Sequence, residues 1–74
     1  MDKKLILQCL ANSGTSSVEQ NELIEITGLP LLRVILGIED IVADGLAING
    51  STKDGVAIIC NSKTKLAFKA GYYD

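Results

Sequence analysis

The stretch Glu22-Leu23-Ile24-Glu25-Ile26-Thr27-Gly28-Leu29-Pro30 decides how this chain is read. Leu23, Ile26 and Thr27 recur at helical spacing and mark one inward face, while Glu19, Glu22 and Glu25 lie mostly off it. The pattern predicts a helix from about Glu19 to Thr27. Gly28-Leu29 breaks that pattern. Pro30 then suits the first turn of a new helix, where its missing N–H costs nothing. Two helices therefore meet across a tight turn.

Outward from that turn, the third helix continues to about Asp44, and Gly45 ends it. Its core side is Val34, Ile38 and Ile41, flanked by Leu31 and Val42. Gly37 lies inside this helix, where a glycine costs roughly 1 kcal/mol against alanine. Close packing of another element at that point is the expected reason. Upstream, a first helix is expected from about Lys3 to Asn12, with Asp2 as its N-cap. Leu5, Ile6, Cys9 and Leu10 share its broad apolar face, and Leu7 sits at the edge. Gly14 suits the left-handed position after it. The polar link Thr15-Ser16-Ser17-Val18 reads as strand-like. Ser16 with Glu19, or Ser17 with Gln20, has the spacing of a capping box.

Downstream the period changes. Leu46-Ala47-Ile48 and Val56 to Cys60 read as two short strands of a hairpin. Asn49-Gly50 and Asp54-Gly55 are the turn dipeptides between them. From Ser62 to Ala70 the pattern has two readings. Leu66, Phe68 and Ala70 alternate like a strand, but Ser62 as a cap and Gly71 as a stop favour a short fourth helix. The helix is the expectation adopted for this segment.

The 74 residues leave room for one domain, 1–74. A domain this small hides only about 60% of the surface of its unfolded chain. Hydrophobic residues make up 47% and aromatics 4%, so the core must be aliphatic, with Phe68, Tyr72 and Tyr73 as late additions. Such a chain has difficulty burying all its Leu and Ile, which points to self-association. Its net charge of −2 lacks the basic balance of a free-standing nucleic-acid binder. No histidine is present, no paired cysteine ligand set, and no glycine-rich phosphate loop. The inventory argues against an enzyme and calls for no cofactor and no metal. The pairs Asp40 and Asp44, and Glu22 and Glu25, read as solvated acidic faces. Cys9 and Cys60, far apart and in apolar surroundings, are expected to be reduced, buried, small hydrophobes. No apolar run reaches the roughly 18–20 residues that a membrane span needs, so the cytoplasm is the expected location.

The order of helix, strand-like link, helix, tight turn, helix and hairpin resembles a small α+β winged helix-turn-helix domain. The segment from Glu22 to Pro30 is similar to the E-L-x-x-x-T/L-G-L-S/P stretch at the turn of winged-helix transcription regulators. Val34, Ile38, Ile41 and Gly45-Leu46 resemble the V-x-x-x-L-x-x-L-x-x-x-G-L pattern of their recognition helix and exit. The spacing from Gly28 to Gly45 matches that of IclR-type and PadR-type regulators without insertion. Cys60 to Phe68 looks like the L-T-x-K-G-x-x-F entry to their last helix, although Thr64 or Lys65 stands where that pattern has glycine. The resemblance covers about Leu5 to Ala70, and its signals are core and turn positions.

This resemblance implies a DNA-binding transcription regulator acting as a homodimer or with a partner. Its third helix would lie in the major groove and its wing would touch phosphate or the minor groove. The residues placed for DNA are Gln20 and Asn21 at the start of the second helix, Arg33 in the third, and Lys53 at the wing tip. The residue types depart from the functional pattern. Base readout needs Arg, Lys, Asn, Gln, Ser or Thr, whereas the outward positions here are Leu32 and Leu36, flanked by Leu31, Ile35 and Glu39. Glu19 and Glu22 also oppose a phosphate at the second helix. A protein-interaction module is therefore the alternative, with Leu32, Ile35 and Leu36 as contact residues and no direct part for DNA.

Overall fold

The computed structural model describes residues 2–71. In chain order its elements are α1 (Asp2–Asn12), β1 (Ser17–Glu19), α2 (Gln20–Thr27), α3 (Leu31–Ala43), β2 (Ile48–Ser51), β3 (Ala57–Cys60) and α4 (Ser62–Lys69). The architecture is α+β, with four helices and one three-stranded antiparallel sheet ordered β1-β3-β2. Among the described residues no helix is long and apolar enough to cross a membrane.

The α2–α3 turn forms as its residues dictate. Gly28 adopts the left-handed conformation at φ 70°, and its N–H donates to Ile24 O at 2.9 Å. That conformation is cheap only for glycine. Thr27 Oγ1 donates to Leu23 O at 2.5 Å and accepts from Leu29 N–H at 3.3 Å, so one hydroxyl ties the end of α2 to the link. Pro30 occupies the N-cap position of α3, one residue before the first helical turn. Gly45, at φ 75°, ends the exit from α3, where Leu46 N–H reaches back to Ile41 O.

The core is aliphatic. Ile6, Leu7 and Leu10 of α1, Leu23 of α2, and Val34, Ile38 and Ile41 of α3 pack with Val18, Leu46, Ala47 and Ile59. Phe68 is half-buried against this cluster, while Tyr72 and Tyr73 lie outside the described residues. Gly37 is buried because α1 crosses α3 there. A Cβ added at Gly37 would stand 2.5 Å from Ile6 Cδ1. The expected close packing at this glycine is thus present, and the approaching group is Ile6.

Several local expectations are corrected. Asp2 belongs to α1, and its carboxylate pairs with Arg33 rather than capping the helix. Leu7 is buried and Leu5 is exposed, reversing their expected ranks. Gly14 is absent from the positive-φ glycines of the chain, so α1 ends without a left-handed glycine. Neither capping box forms, because Glu19 is the N-cap of α2 and no side chain bonds there. In α2 the second apolar contact comes from Ile24, whereas Ile26 is 63% exposed. One short helix presents a single narrow stripe to its neighbours, and Leu23 with Ile24 fills it.

The hairpin is displaced from its expected position. Asn49-Gly50 is not a turn but part of β2, paired with Ile59 and Ile58. The reversal lies at Thr52–Gly55, where Thr52 N–H donates to Val56 O at 2.9 Å and Gly55 takes φ 81°. Leu46 and Ala47 precede the strand as buried core residues. The tail is a helix over Ser62–Lys69, with Asn61 rather than Ser62 at its N-cap position and Gly71 left-handed after it.

Two buried polar side chains hold α4 in place. Thr64 Oγ1 donates to Leu46 O at 2.5 Å, satisfying a carbonyl at the exit of α3. Asn61 Nδ2 donates to Leu10 O at 2.6 Å, near the end of α1. Asn61 N–H also donates to Ser16 O, and Lys65 Nζ to Thr15 O. The two cysteines form no disulfide. Both are half-buried rather than fully buried, and partial burial pushes the Cys9 thiol above its ordinary range.

Candidate functional site

The sequence of α3 is apolar on nearly every side, and the structure covers only part of it. Val34, Gly37, Ile38 and Ile41 face the interior. Leu31, Leu32 and Leu36 are 50%, 66% and 53% exposed, and Ile35 is half-buried. These four residues occupy the first two turns of α3. Neighbours three and four apart on a helix lie side by side, so they make a continuous aliphatic surface. An isolated exposed leucine is ordinary, but a contiguous group on one helix marks a contact surface. Covering one leucine fully is worth roughly 1.5–3 kcal/mol.

A shallow cleft of about 390 Å³ borders this surface, lined by Asp2, Lys3, Arg33, Leu36, Gly37 and Asp40. The start of α1 forms one wall and the middle of α3 the other. Gly37 deepens the cleft because it contributes no side chain. Two ion pairs cross between the helices. Arg33 Nε and Nη2 donate to the two carboxylate oxygens of Asp2, each at 2.6 Å, in the bidentate geometry that suits a planar guanidinium. Lys3 pairs with Asp44 near the far end of α3. The Arg33 hydrogen bonds hold the Asp2 carboxyl below the usual carboxylate range, and the same carboxylate raises the Arg33 pKa further.

The four residues expected to touch DNA fall on three separate elements. Gln20 is half-buried and Asn21 exposed at the start of α2, and Lys53 is exposed at the hairpin reversal. Arg33 is turned toward α1 by its pairing with Asp2. Among the described residues no hydrogen bond or ion pair joins any two of the four. The bidentate pair neutralises the one arginine of α3, and Lys65 donates its ammonium to Thr15 O at 2.9 Å. Glu39 and Asp40 stand exposed farther along α3.

The aliphatic residues expected to form a protein interface, Leu32, Ile35 and Leu36, do lie together. Sequence reading missed the cleft beside them. Arg33, Leu36, Gly37 and Asp40 follow a three-and-four spacing that marks one helix stripe, so that signal was present. Asp2 carried none, being 31 residues away from Arg33 in sequence. Among the described residues no cluster of three or more His, Cys, Asp or Glu side chains is placed to hold a metal ion. No protein-family model matches the chain, and no curated protein matches its sequence.

Proposed function

We infer that this chain is a small winged-helix-type binding domain whose working surface is the outer face of α3 and whose partner is a protein. Element order supports the winged-helix reading: three helices, a strand-like link that pairs into the sheet, and a hairpin after α3. The observation that carries the functional reading is the exposure of Leu31, Leu32 and Leu36 on a helix whose one arginine is already paired. Such a face gains free energy by leaving water and has little with which to read base edges.

The test is a pair of variants, Leu32→Asp and Leu36→Asp. Both positions are more than half exposed, so each variant keeps the wild-type circular dichroism spectrum and melting cooperativity while losing association. Collapse of the fold in either variant would assign these leucines to the monomer core and end the reading.

Specific placements favour a second reading, that of a DNA-binding regulator. Lys53 is exposed at the hairpin reversal, and Gln20 and Asn21 open α2, the positions the winged-helix resemblance assigns to phosphate contact. Titration of labelled chain with a generic duplex at about 50 mM and about 200 mM salt separates the readings, since phosphate contacts fade over that range. Shifts at Gln20, Arg33 and Lys53 that vanish at the higher salt favour DNA. An unchanged spectrum at both salts favours the α3 face as a protein contact.

A further inference from the structure

We propose that the occupant of the α3 face is a second copy of this chain, docked antiparallel across the cleft, with Leu36 of each copy over Gly37 of the other and Arg33 of each beside Asp40 of the other. The proposal rests on the reading of α3 as a contact face and gives that face a partner.

The argument begins with the spacing of the cleft residues. Arg33, Leu36, Gly37 and Asp40 all line one cleft from the same helix. Their positions are symmetric about the Leu36–Gly37 peptide: the large and small residues flank it, and the basic and acidic residues lie equally far on either side. A two-fold axis through that peptide, perpendicular to the helix, turns the direction of α3 around. It carries Arg33 onto the level of Asp40 and Leu36 onto the level of Gly37. It also keeps each residue on its own flank, so that the charged positions meet each other rather than the leucines. A two-fold interface uses one patch twice and requires this kind of self-complementarity.

Size and charge then fit. Gly37 has no side chain, and Ile6 occupies the space on its inner side, so the helix surface there is low and admits a leucine from outside. Leu36 is the adjacent projecting side chain, more than half exposed. Toward the ends of the crossing, Leu32 of one copy comes to the level of Ala43 of the other, an exposed small residue. Arg33 uses Nε and Nη2 on Asp2, which leaves Nη1 for a second carboxylate. Asp40 is exposed, and among the described residues it makes no side-chain hydrogen bond or ion pair. Opposed helix dipoles add to the preference for antiparallel docking. A stable interface covers roughly 800 Å² on each partner, a modest part of the 4653 Å² of this chain. The first two turns of α3 with the neighbouring start of α1 supply the apolar centre and polar rim of such a patch.

Sedimentation equilibrium on the full chain, followed by charge exchange, tests this arrangement. The wild type is expected to be dimeric at tens of micromolar, and Leu36→Asp to weaken the dimer by at least about a hundredfold. Arg33→Glu and Asp40→Arg each place like charges at both symmetric contacts and should weaken it about tenfold. Mixing those two variants restores opposite charges at both contacts, so the mixture forms a heterodimer tighter than either homodimer. Only an antiparallel crossing at this register gives that recovery. A dimer without recovery on mixing overturns the arrangement, as does a wild type that stays monomeric to about 0.5 mM. A monomeric wild type whose Leu32→Asp and Leu36→Asp variants remain folded removes the second copy but leaves α3 as a surface for a different protein. Unfolding of those leucine variants removes both.

Discussion

The Asp2 carboxylate accepts from Arg33 Nε and Nη2 at 2.6 Å each and so fastens the first turn of α1 to the first turn of α3. The pair spans 31 residues of sequence and closes one end of the cleft. Because the carboxyl is held below its usual range in the folded chain, the unfolded chain binds the proton more readily. The stabilisation is therefore complete at pH above the ordinary carboxylate range and disappears as pH falls through the lowered value. The Arg33 Nε–H resonance should move over that acidic window in the wild type. In Asp2→Asn it should sit near its acid-side position at neutral pH and show no such transition. A wild-type resonance that ignores acidification would mean the pair does not form in solution.

Gly37→Ala should destabilise the chain. The new methyl meets Ile6 Cδ1 inside a packed core, and such overpacking costs about 1–3 kcal/mol, while the better helix propensity of alanine returns about 1 kcal/mol. Urea unfolding should show a net loss of about 1–2 kcal/mol. Ile6→Val removes the obstructing Cδ1, so the double variant should be less destabilised than the sum of the singles. Strict additivity would show that Ile6 is not the neighbour that demands glycine.

Leu23→Ala and Leu32→Ala exchange the same chemistry at opposite exposures. Leu23 is fully buried in α2, and its truncation should cost about 2–5 kcal/mol in urea unfolding. Leu32 stands on the outer face of α3, and in dilute solution its truncation should stay within about 0.5 kcal/mol. If the two costs were similar, Leu32 would be covered within the monomer.

Thr64→Val tests how α4 is held. Valine matches the shape of threonine but leaves Leu46 O without its hydroxyl donor in a buried place. A buried unsatisfied carbonyl costs about 1–3 kcal/mol. Thermal unfolding should record a loss of that size, and Thr64→Ser, which keeps the donor, should recover part of it. Equal losses in both variants would assign the effect to the methyl group instead.

The helices were legible in the sequence because each carries its own period and its own stop. Gly28, Gly45 and Gly71 all adopt the left-handed conformation that their positions after helices suggested. The sheet was harder to place. Asn49-Gly50 is a strong turn dipeptide, but β3 pairs with it at Ile59 and Ile58, and the ladder outweighs the local preference. Thr52 takes over the reversal by accepting Val56 N–H on its hydroxyl at 3.1 Å. At α2, Ile24 and Ile26 fit the helical period almost equally, and only the positions of α1 and α3 select Ile24. For the site, the aliphatic face of α3 was readable because it breaks the amphipathic rule. The cleft was not, since its second wall comes from Asp2 and Lys3, which no local spacing links to α3.

The central place of β3 bears on how the chain can be made. Residues 57–60 supply the strand that both β1 and β2 pair with, and β1 meets it across most of the chain length, Ser17 opposite Cys60. Helices α1, α2 and α3 leave the ribosome first, with Val18 and Leu46 still lacking Ile59 as a core neighbour. A nascent chain stopped before Ala57 would hold two strands with nothing between them. Long-range pairing of this kind is slow to close. Completion of the sheet should therefore follow synthesis rather than accompany it, and until then the leucines of α3 meet whatever else is in reach, chaperones and other nascent chains among them.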